Sequence, residues 1–289
     1  MRSIITLLIL SCFLLRFNAF AQEHMYVPQP IRVKVKTTEV GIFIGSSYYV
    51  GDLNPSGHFN RFTRPAGGGL LRLNFNSRYS VKAIASFGGI EGDDSYSDKA
   101  EYRNRNLSFK SNLMEFAVEG EFNFLPYITG NKRSAHISPY IFAGLAVYHF
   151  EPKAYYYSRW YSLQPLSTEG QGTTFSNDKR YSLTQFSIPF GVGLKINVSK
   201  HVGLNFEWGL RRTFTDYLDD VSGKYVDVNL LASEKGPEAA GLSDRSLTSD
   251  GNNTGRQRGN SLTNDWYSFA GVLLTYRLKG NEDRCDVPH

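Results

Sequence analysis

Runs of about ten residues recur along this chain in which apolar side chains keep one parity while glycine, serine, asparagine or charged residues keep the other. Successive side chains of an extended strand point to opposite faces, so each run predicts a strand with one apolar and one polar face. Eight runs are read. In the first, Val40, Ile42, Ile44 and Tyr48 share a face opposite Glu39, Gly41, Gly45 and Ser47, with Phe43 as its exception. The second sets Leu71, Leu73 and Phe75 against Arg72 and Asn74, after Gly67-Gly68-Gly69. The third sets Tyr79, Val81, Ala83, Ala85 and Phe87 against Ser80, Lys82 and Ser86. The fourth is the clearest, with Met114, Phe116, Val118, Phe122 and Phe124 opposing Glu115, Glu119, Glu121 and Asn123. The fifth, Tyr140 to Phe150, is apolar on both parities and leaves its faces unassigned. In the sixth, Phe186, Ile188, Phe190, Val192, Leu194 and Ile196 oppose Gln185, Ser187, Gly191, Gly193, Lys195 and Asn197. The seventh has Val202, Leu204, Phe206, Trp208 and Leu210 against Asn205, Glu207, Gly209 and Arg211, and the last runs from Trp266 to Leu278.

Alternation alone also suits a soluble sandwich, whose apolar face turns inward. The connections separate the two. Those after the second and sixth runs are tight, and the one after the fourth, Pro126 to Ile137, is moderate. The connections Val50 to Thr63, Gly88 to Ser108, Glu151 to Tyr181 and Thr213 to Asp265 are long. Outer-membrane barrels sort their loops in this way, with short periplasmic turns and long extracellular loops. The prediction is therefore an all-β chain: a transmembrane antiparallel up-and-down β-barrel of about eight strands over residues 37–278, in the outer membrane, with both termini periplasmic. No segment reaches the roughly 18 consecutive apolar residues of a membrane helix once the leader is set aside, which leaves a barrel as the spanning form.

Composition alone does not reveal this. A mean hydropathy of −0.34 suits an ordinary soluble domain, although 14% aromatic residues and 27 glycines favour short strands and turns. Arg2, the apolar run Ile4 to Leu15 and Ala19-Phe20-Ala21 read as a secretory signal over residues 1–21, cleaved after Ala21. A lipoprotein reading at Cys12 is disfavoured because Phe13-Leu14-Leu15 continue the apolar run. With Cys12 removed, Cys285 has no partner for an intrachain disulfide. The 30 basic side chains left after Arg2 and Arg16 against 27 acidic ones give +3, too mild for a nucleic-acid partner. Residues 22–36 and 279–289 are expected as periplasmic segments, and outer-membrane lipid as a surrounding partner.

A barrel of about eight strands is filled by its own side chains, which argues against an open channel. The inward parity gathers Glu39, Glu115, Glu119, Glu121 and Glu207 with Arg72, Lys82, Lys195 and Arg211. Charges so enclosed must pair or keep water. They read as an ion-paired structural plug in preference to a proton or ion path.

No metal motif, phosphate-binding glycine loop or nucleophile elbow occurs at useful spacing, and no cofactor is expected. Gly170 and Gly172 in Thr168-Glu169-Gly170-Gln171-Gly172 read as shaping a loop. Asp216-Tyr217-Leu218-Asp219-Asp220 could help hold calcium, but a hydrated loop hairpin is the plainer reading. Some small outer-membrane barrels modify lipids with a His and a Ser at the outer rim. Here His58 and His149 fall near that end without a recognisable nucleophile and orienting carboxylate, although Glu151 is close to His149 in sequence. The expectation is a non-enzymatic chain. Tyr155-Tyr156-Tyr157 and Trp160-Tyr161 lie beyond the fifth run and suit an interfacial girdle or a partner-binding loop equally. The last long connection, with Gly236-Pro237 and Ser249-Asp250-Gly251-Asn252-Asn253, exceeds what strand closure needs.

Four phrases carry a resemblance: Glu39 to Pro55 (EVGIFIGSSYYVGDLNP), Leu163 to Gly172 (LQPLSTEGQG), Glu207 to Ser222 (EWGLRRTFTDYLDDVS), and Arg258-Gly259-Asn260 ahead of Asp265-Trp266-Tyr267. Together they resemble a family of outer-membrane barrels that includes the PorG component of the type IX secretion system. The resemblance extends over nearly all the chain after the signal segment. It implies a non-enzymatic barrel associated with periplasmic ring components of that machinery, and it supplies no catalytic residues. The alternatives are a surface-binding barrel using the long loops and, less favoured, a lipid-modifying barrel enzyme.

Overall fold

The computed structural model describes residues 36–55, 57–131, 134–248 and 253–278. The signal segment, the tail at 279–289, all but one residue of 22–36, both cysteines and Ser249 to Asn252 lie outside the described residues.

The strands are β1 (Thr37–Val50), β2 (Arg64–Asn74), β3 (Tyr79–Asp93), β4 (Ser108–Asn123), β5 (Ile137–Tyr156), β6 (Arg159–Ser162), β7 (Thr184–Asn197), β8 (Val202–Thr213) and β9 (Trp266–Arg277). Each of the eight long strands pairs antiparallel with its neighbour in the chain, β4 pairs β5, and β1 pairs β9, so the sheet closes on itself. The fold is a closed, antiparallel, up-and-down barrel of eight strands. Closure leaves no unpaired edge within the ring. β6 stands outside it, forming a short hairpin on the far end of β5.

Parity decides which side chains turn inward. Along β4 every second residue from Phe109 to Asn123 is buried, while Met114, Phe116 and Val118 between them are exposed. Leu71, Leu73, Tyr79, Phe87, Phe186 and Val192 are likewise exposed on neighbouring strands. The outer wall is thus an apolar belt around a lumen of polar and aromatic side chains. β5 resolves the fifth run: Tyr140, Phe142, Tyr148 and Phe150 face the lumen, and Ile141, Leu145 and Val147 face outward. Both parities are apolar because the inward row is aromatic.

Three features differ from the sequence reading. Gly88 to Asp93 continues β3 and Glu151 to Tyr156 continues β5, so both strands rise past the apolar belt before their loops begin. Tyr155 and Tyr156 belong to β5, and Trp160 and Tyr161 to β6, not to a loop beyond the fifth strand. Tyr48, on the outward parity of β1, is fully buried because the segment after β1 folds back over it.

One end of the barrel carries the tight turns and the first and last strand ends. There the β4–β5 turn folds inward, burying Tyr127, Ile128 and Thr129. Gly130 donates its N–H to Asn197 Oδ1 (2.8 Å), and Arg277 donates to the Thr129 carbonyl (2.9 Å). Gly130 has φ +75°, and a Cβ there would lie 1.7 Å from the Lys200 carbonyl oxygen, so this turn requires glycine. The other end carries four long connections, which contain helices α1 (Ala100–Arg105), α2 (Leu163–Leu166), α3 (Val228–Lys235) and α4 (Pro237–Ser243). Asp227 caps α3 by accepting the N–H groups of Asn229 and Leu230.

Candidate functional site

Two polar layers occupy the axis of the barrel, one in the lumen and one in the cap of loops above it. In the lumen, Arg72 on β2 donates to Glu39 on β1 and lies beside Glu121 on β4, both at 2.9 Å. Lys195 on β7 reaches Glu121 at 2.6 Å. Lys82 on β3 meets Glu119 at 2.8 Å and crosses the bore to Glu207 on β8, the diametrically opposite strand. Arg211 on β8 pairs with Glu115 (3.2 Å) and approaches Glu119 (3.7 Å). All nine charged side chains named from parity thus form one network spanning the bore.

Several partners were not singled out from the sequence. Tyr140 and Tyr267 donate hydroxyls to Glu207 and Glu115, each at 2.7 Å, and Thr129 from the inward turn donates to Glu39 at 2.7 Å. The Lys195, Lys82 and Arg211 cations lie over the rings of Tyr140, Phe142 and Phe269 at 4.6, 4.7 and 4.9 Å. These faces offset part of the lost hydration of the cations. Fixed parity on β9 would have marked Tyr267; nothing local marks Thr129.

Above the lumen, the loop phrases at 169–172, 216–220 and 258–260 converge in one buried knot. Arg258 is its centre, donating to Glu169 Oε1 (2.9 Å) and to the carbonyls of Asp220 (2.6 Å) and Ser243 (3.0 Å). Glu169 also accepts the N–H groups of Ser222 and Gly223, both at 2.9 Å. A carboxylate holding an arginine and two amides fastens two loops separated by some fifty residues. Gly170 and Gly172 have φ of +81° and +66°, so they shape this loop, and Gln171 Oε1 accepts from Glu169 N–H. Tyr217 stacks on Tyr181 with centroids 4.9 Å apart.

A second arginine, Arg105 at the end of α1, extends the knot. It clasps Asp94 through two nitrogens (2.7 and 2.8 Å) and donates to the carbonyls of Arg258 and Asp52. Asp52 in turn accepts Asn260 N–H at 2.7 Å. Tyr49, at the end of β1, donates to Asp219 and lies 3.1 Å from Asp265. Asp265 accepts Leu218 N–H and Asp219 accepts Val221 N–H, each at 2.9 Å. Asp220 accepts from Thr168 and from Tyr181 (2.7 Å). Sequence reasoning missed Tyr49, Asp94 and Arg105, whose partners are distant along the chain.

Burial sets the electrostatics of this cap. It pushes the Asp216 carboxyl up to about 7 and that of Asp220 to about 6, the latter against the pull of Arg258. Asp219 and Asp265, buried side by side around Tyr49, are raised well above the usual carboxylate range. Arg105 and Arg258 are raised because burial is outweighed by the carboxylates around them. The hydrated hairpin expected at Asp216 to Asp220 is therefore corrected: Asp219 and Asp220 are buried because they serve as hydrogen-bond acceptors inside the cap. They point to Tyr49 and Val221 on one side and to Thr168 and Tyr181 on the other, and among the described residues no three carboxylate, imidazole or thiol groups converge as a metal cage.

The two rim histidines bond to hydroxyls on the outer wall, His58 Nδ1 to Tyr48 (3.1 Å) and His149 Nδ1 to Thr184 (2.9 Å). Glu151 is engaged by Lys153 (2.9 Å) and Ser162 (2.7 Å). Beside the knot the cap is indented by a polar pocket of about 350 Å³, lined by Asp52, Glu101, Tyr225, Arg256, Gln257 and Asn260 among others.

Residues 24–233 match the family described as "Domain of unknown function (DUF6089)". No curated protein matches the chain in sequence. Among solved structures, the chain is similar to Ail, the attachment invasion locus protein of Yersinia pestis, with 9% identity, covering 84% of this chain and 99% of that one at a TM-score of 0.40. Neisserial surface protein A gives 9% identity, 83% and 97% coverage and 0.40. The outer membrane protein OprG from Pseudomonas aeruginosa gives 9% identity, 86% and 98% coverage and 0.38.

Proposed function

This chain belongs to the DUF6089 family, a domain of unknown function, and we propose that it is a sealed, non-enzymatic barrel that spans the outer membrane. The observation that carries this reading is the apolar outer wall. Ile44, Phe87, Met114, Leu145 and Phe186 are each more than 60% exposed, and Leu71, Phe206 and Leu274 are exposed on the three remaining strands of the ring, while the charges are buried inside. Water would penalise each such side chain by about 1.5–3 kcal/mol relative to burial, and exposed apolar patches of this extent mark contact with a membrane or partner. On this reading the cap faces outward, as long loops do in such barrels, and the start of β1 and the end of β9 face the periplasm. Tyr79, Phe124 and Tyr276 at one end, and Tyr155 and Trp160 at the other, supply aromatic girdles.

The finer role is a structural, accessory component of the type IX secretion apparatus, docking periplasmic ring components through the turn end. Support comes from the four sequence phrases and from the bore, whose cross-linked charges suit an anchor better than a channel. A deletion strain is expected to lose secretion of type IX cargo, and a mild-detergent pull-down to recover ring components. Normal secretion with an isolated barrel would remove the role. A second reading, a surface-binding barrel, is favoured by the polar pocket on the cap. It requires that altering Glu101 and Gln257 abolish binding to cells or matrix while secretion persists.

A further inference from the structure

The outer wall carries a recess that spans β7, β8 and β9 and reaches β1. Register stacks its side chains in rows: Tyr48 opposite Ser268, Ser46 opposite Ala270 and Ile44 opposite Val272 across β1–β9. Across β8–β9, Leu210 faces Ser268, Trp208 faces Ala270 and Phe206 faces Val272. The middle row is therefore shallow at Ser46 and Ala270 and tall at Trp208. Above it, the segment after β1 bends down the wall. Phe59, held at φ +51°, packs on Tyr48 with centroids 5.1 Å apart, and His58 meets the edges of Tyr48 and Trp208 at 5.5 and 6.5 Å. Trp208 donates its indole N–H to the Tyr48 hydroxyl at 2.9 Å. Tyr48, Ser268 and Ala270 are buried although they face outward, and Phe59 remains exposed over a space of about 590 Å³. Its lining is almost wholly carbon, from Phe59, Val192, Leu194, Phe206, Trp208 and Val272.

We propose that this recess is a binding site for one acyl chain of a membrane lipid, retained while the surrounding lipids exchange. The inference rests on the membrane-spanning reading above. The recess opens into the apolar belt, where the neighbouring medium is hydrocarbon. Its size admits a flexible chain; a helix about 10–12 Å in diameter would fit for little more than one turn. An unfilled space there forfeits dispersion contacts on every lining atom. Polar atoms gather at the upper end, where the Tyr48 hydroxyl and the His58 ring adjoin Trp208, so the bound lipid has its headgroup toward the cap.

The test uses tryptophan quenching in vesicles. Replacing Trp160 and Trp266 with Phe leaves Trp208 as the single tryptophan. The folded variant is reconstituted into phosphatidylethanolamine containing a rising fraction of the same lipid with a dibrominated stearoyl chain. A retained chain makes Trp208 quenching at low brominated fraction severalfold greater than random contact gives, and Ala270→Phe, which fills the recess, returns it to random. Val272→Phe is the second filling variant, and heat-modifiable migration checks that each barrel has folded. Random quenching by the unfilled variant, or excess quenching that survives both filled variants, overturns the site. Shielding that disappears on dilution into excess lipid indicates a second copy of the chain and also overturns it. If Trp208 is not quenched even in fully brominated vesicles, the membrane-spanning reading itself fails.

Discussion

Glu121→Leu cuts the lumen network at the carboxylate that serves the most cations. Glu121 lies 2.6 Å from Lys195, 2.9 Å from Arg72 and 3.7 Å from Lys82, and accepts from Ser80 at 2.9 Å. After its loss Arg72 keeps Glu39, and Lys82 keeps Glu119 and Glu207. Lys195 is left with Ser80 at 3.5 Å and the rings of Tyr140 and Tyr127 at 4.6 and 6.0 Å. It becomes the stranded buried charge. Removing one partner of a buried pair costs about 3–5 kcal/mol. With a urea slope of about 2–3 kcal/mol per molar, the unfolding midpoint falls by about 1–2.5 M. Tryptophan fluorescence in detergent micelles, with heat-modifiable electrophoresis alongside, measures this. The double variant Glu121→Leu/Lys195→Leu is expected to recover more than half the loss, because an apolar pair of similar volume leaves no uncompensated charge. A single variant costing less than about 1 kcal/mol would mean that the charges are hydrated; a double variant no better than the single would mean that Lys195 is not the stranded group.

The cap should weaken as pH rises. Asp216 and Asp220 titrate near 7 and 6 in the folded cap against an ordinary 3.8, so the folded state binds more protons between these values and their contribution to stability falls across about pH 4–7, with Asp219 and Asp265, also raised by burial, adding to the fall. Limited proteolysis of the 214–265 segment, corrected for protease activity, should proceed faster at pH 8 than at pH 5, with Asp216→Asn reducing the difference; greater resistance at pH 8 contradicts the assignment. Arg258→Ala unties Glu169, Asp220 and Ser243 at once, so it should expose the same segment to protease while the barrel still migrates as folded; unchanged digestion would show that the arginine does not fasten the cap. Gly130→Ala should lower the urea midpoint well beyond Gly255→Ala. Both have positive φ, but only the first would drive a Cβ into backbone, since the second faces open space; equal shifts would refute the steric argument.

The barrel was legible because period-two alternation is local: each strand announces its own two faces. It failed on β5, where the inward row is aromatic so that Tyr140 and Phe142 can meet Lys195 and Lys82, and polarity no longer separates the faces. It failed again at Tyr48, whose outward parity is correct but whose surroundings are set by His58 and Phe59 arriving from a loop. The inward parity of the nine lumen charges could be read from the strands, whereas their pairings depend on shear and tilt around the ring. The cap was legible in fragments alone. Glu169, Asp220 and Arg258 stood out as parts of phrases, but their meeting joins segments far apart in the chain, and Arg105, on a short charged helix, carries no local signal of its role.

Closure of the ring sets an order on folding. Every pairing in the ring but one joins long strands that follow each other along the chain, so each can form as a hairpin once its two strands exist. The exception is the seam, where Glu39 near the start of the chain meets Arg277 near its end. Loop-closure entropy for that contact falls only after the intervening hairpins have shortened the effective separation. β1 must therefore wait as an unpaired edge until β9 arrives, and a chain truncated before Trp266 has no means of covering it. Such a chain is expected to present β1 and β8 as exposed edges, the form in which strands recruit other chains, so loss of a dozen residues at the end of the barrel acts on the whole fold rather than on one strand.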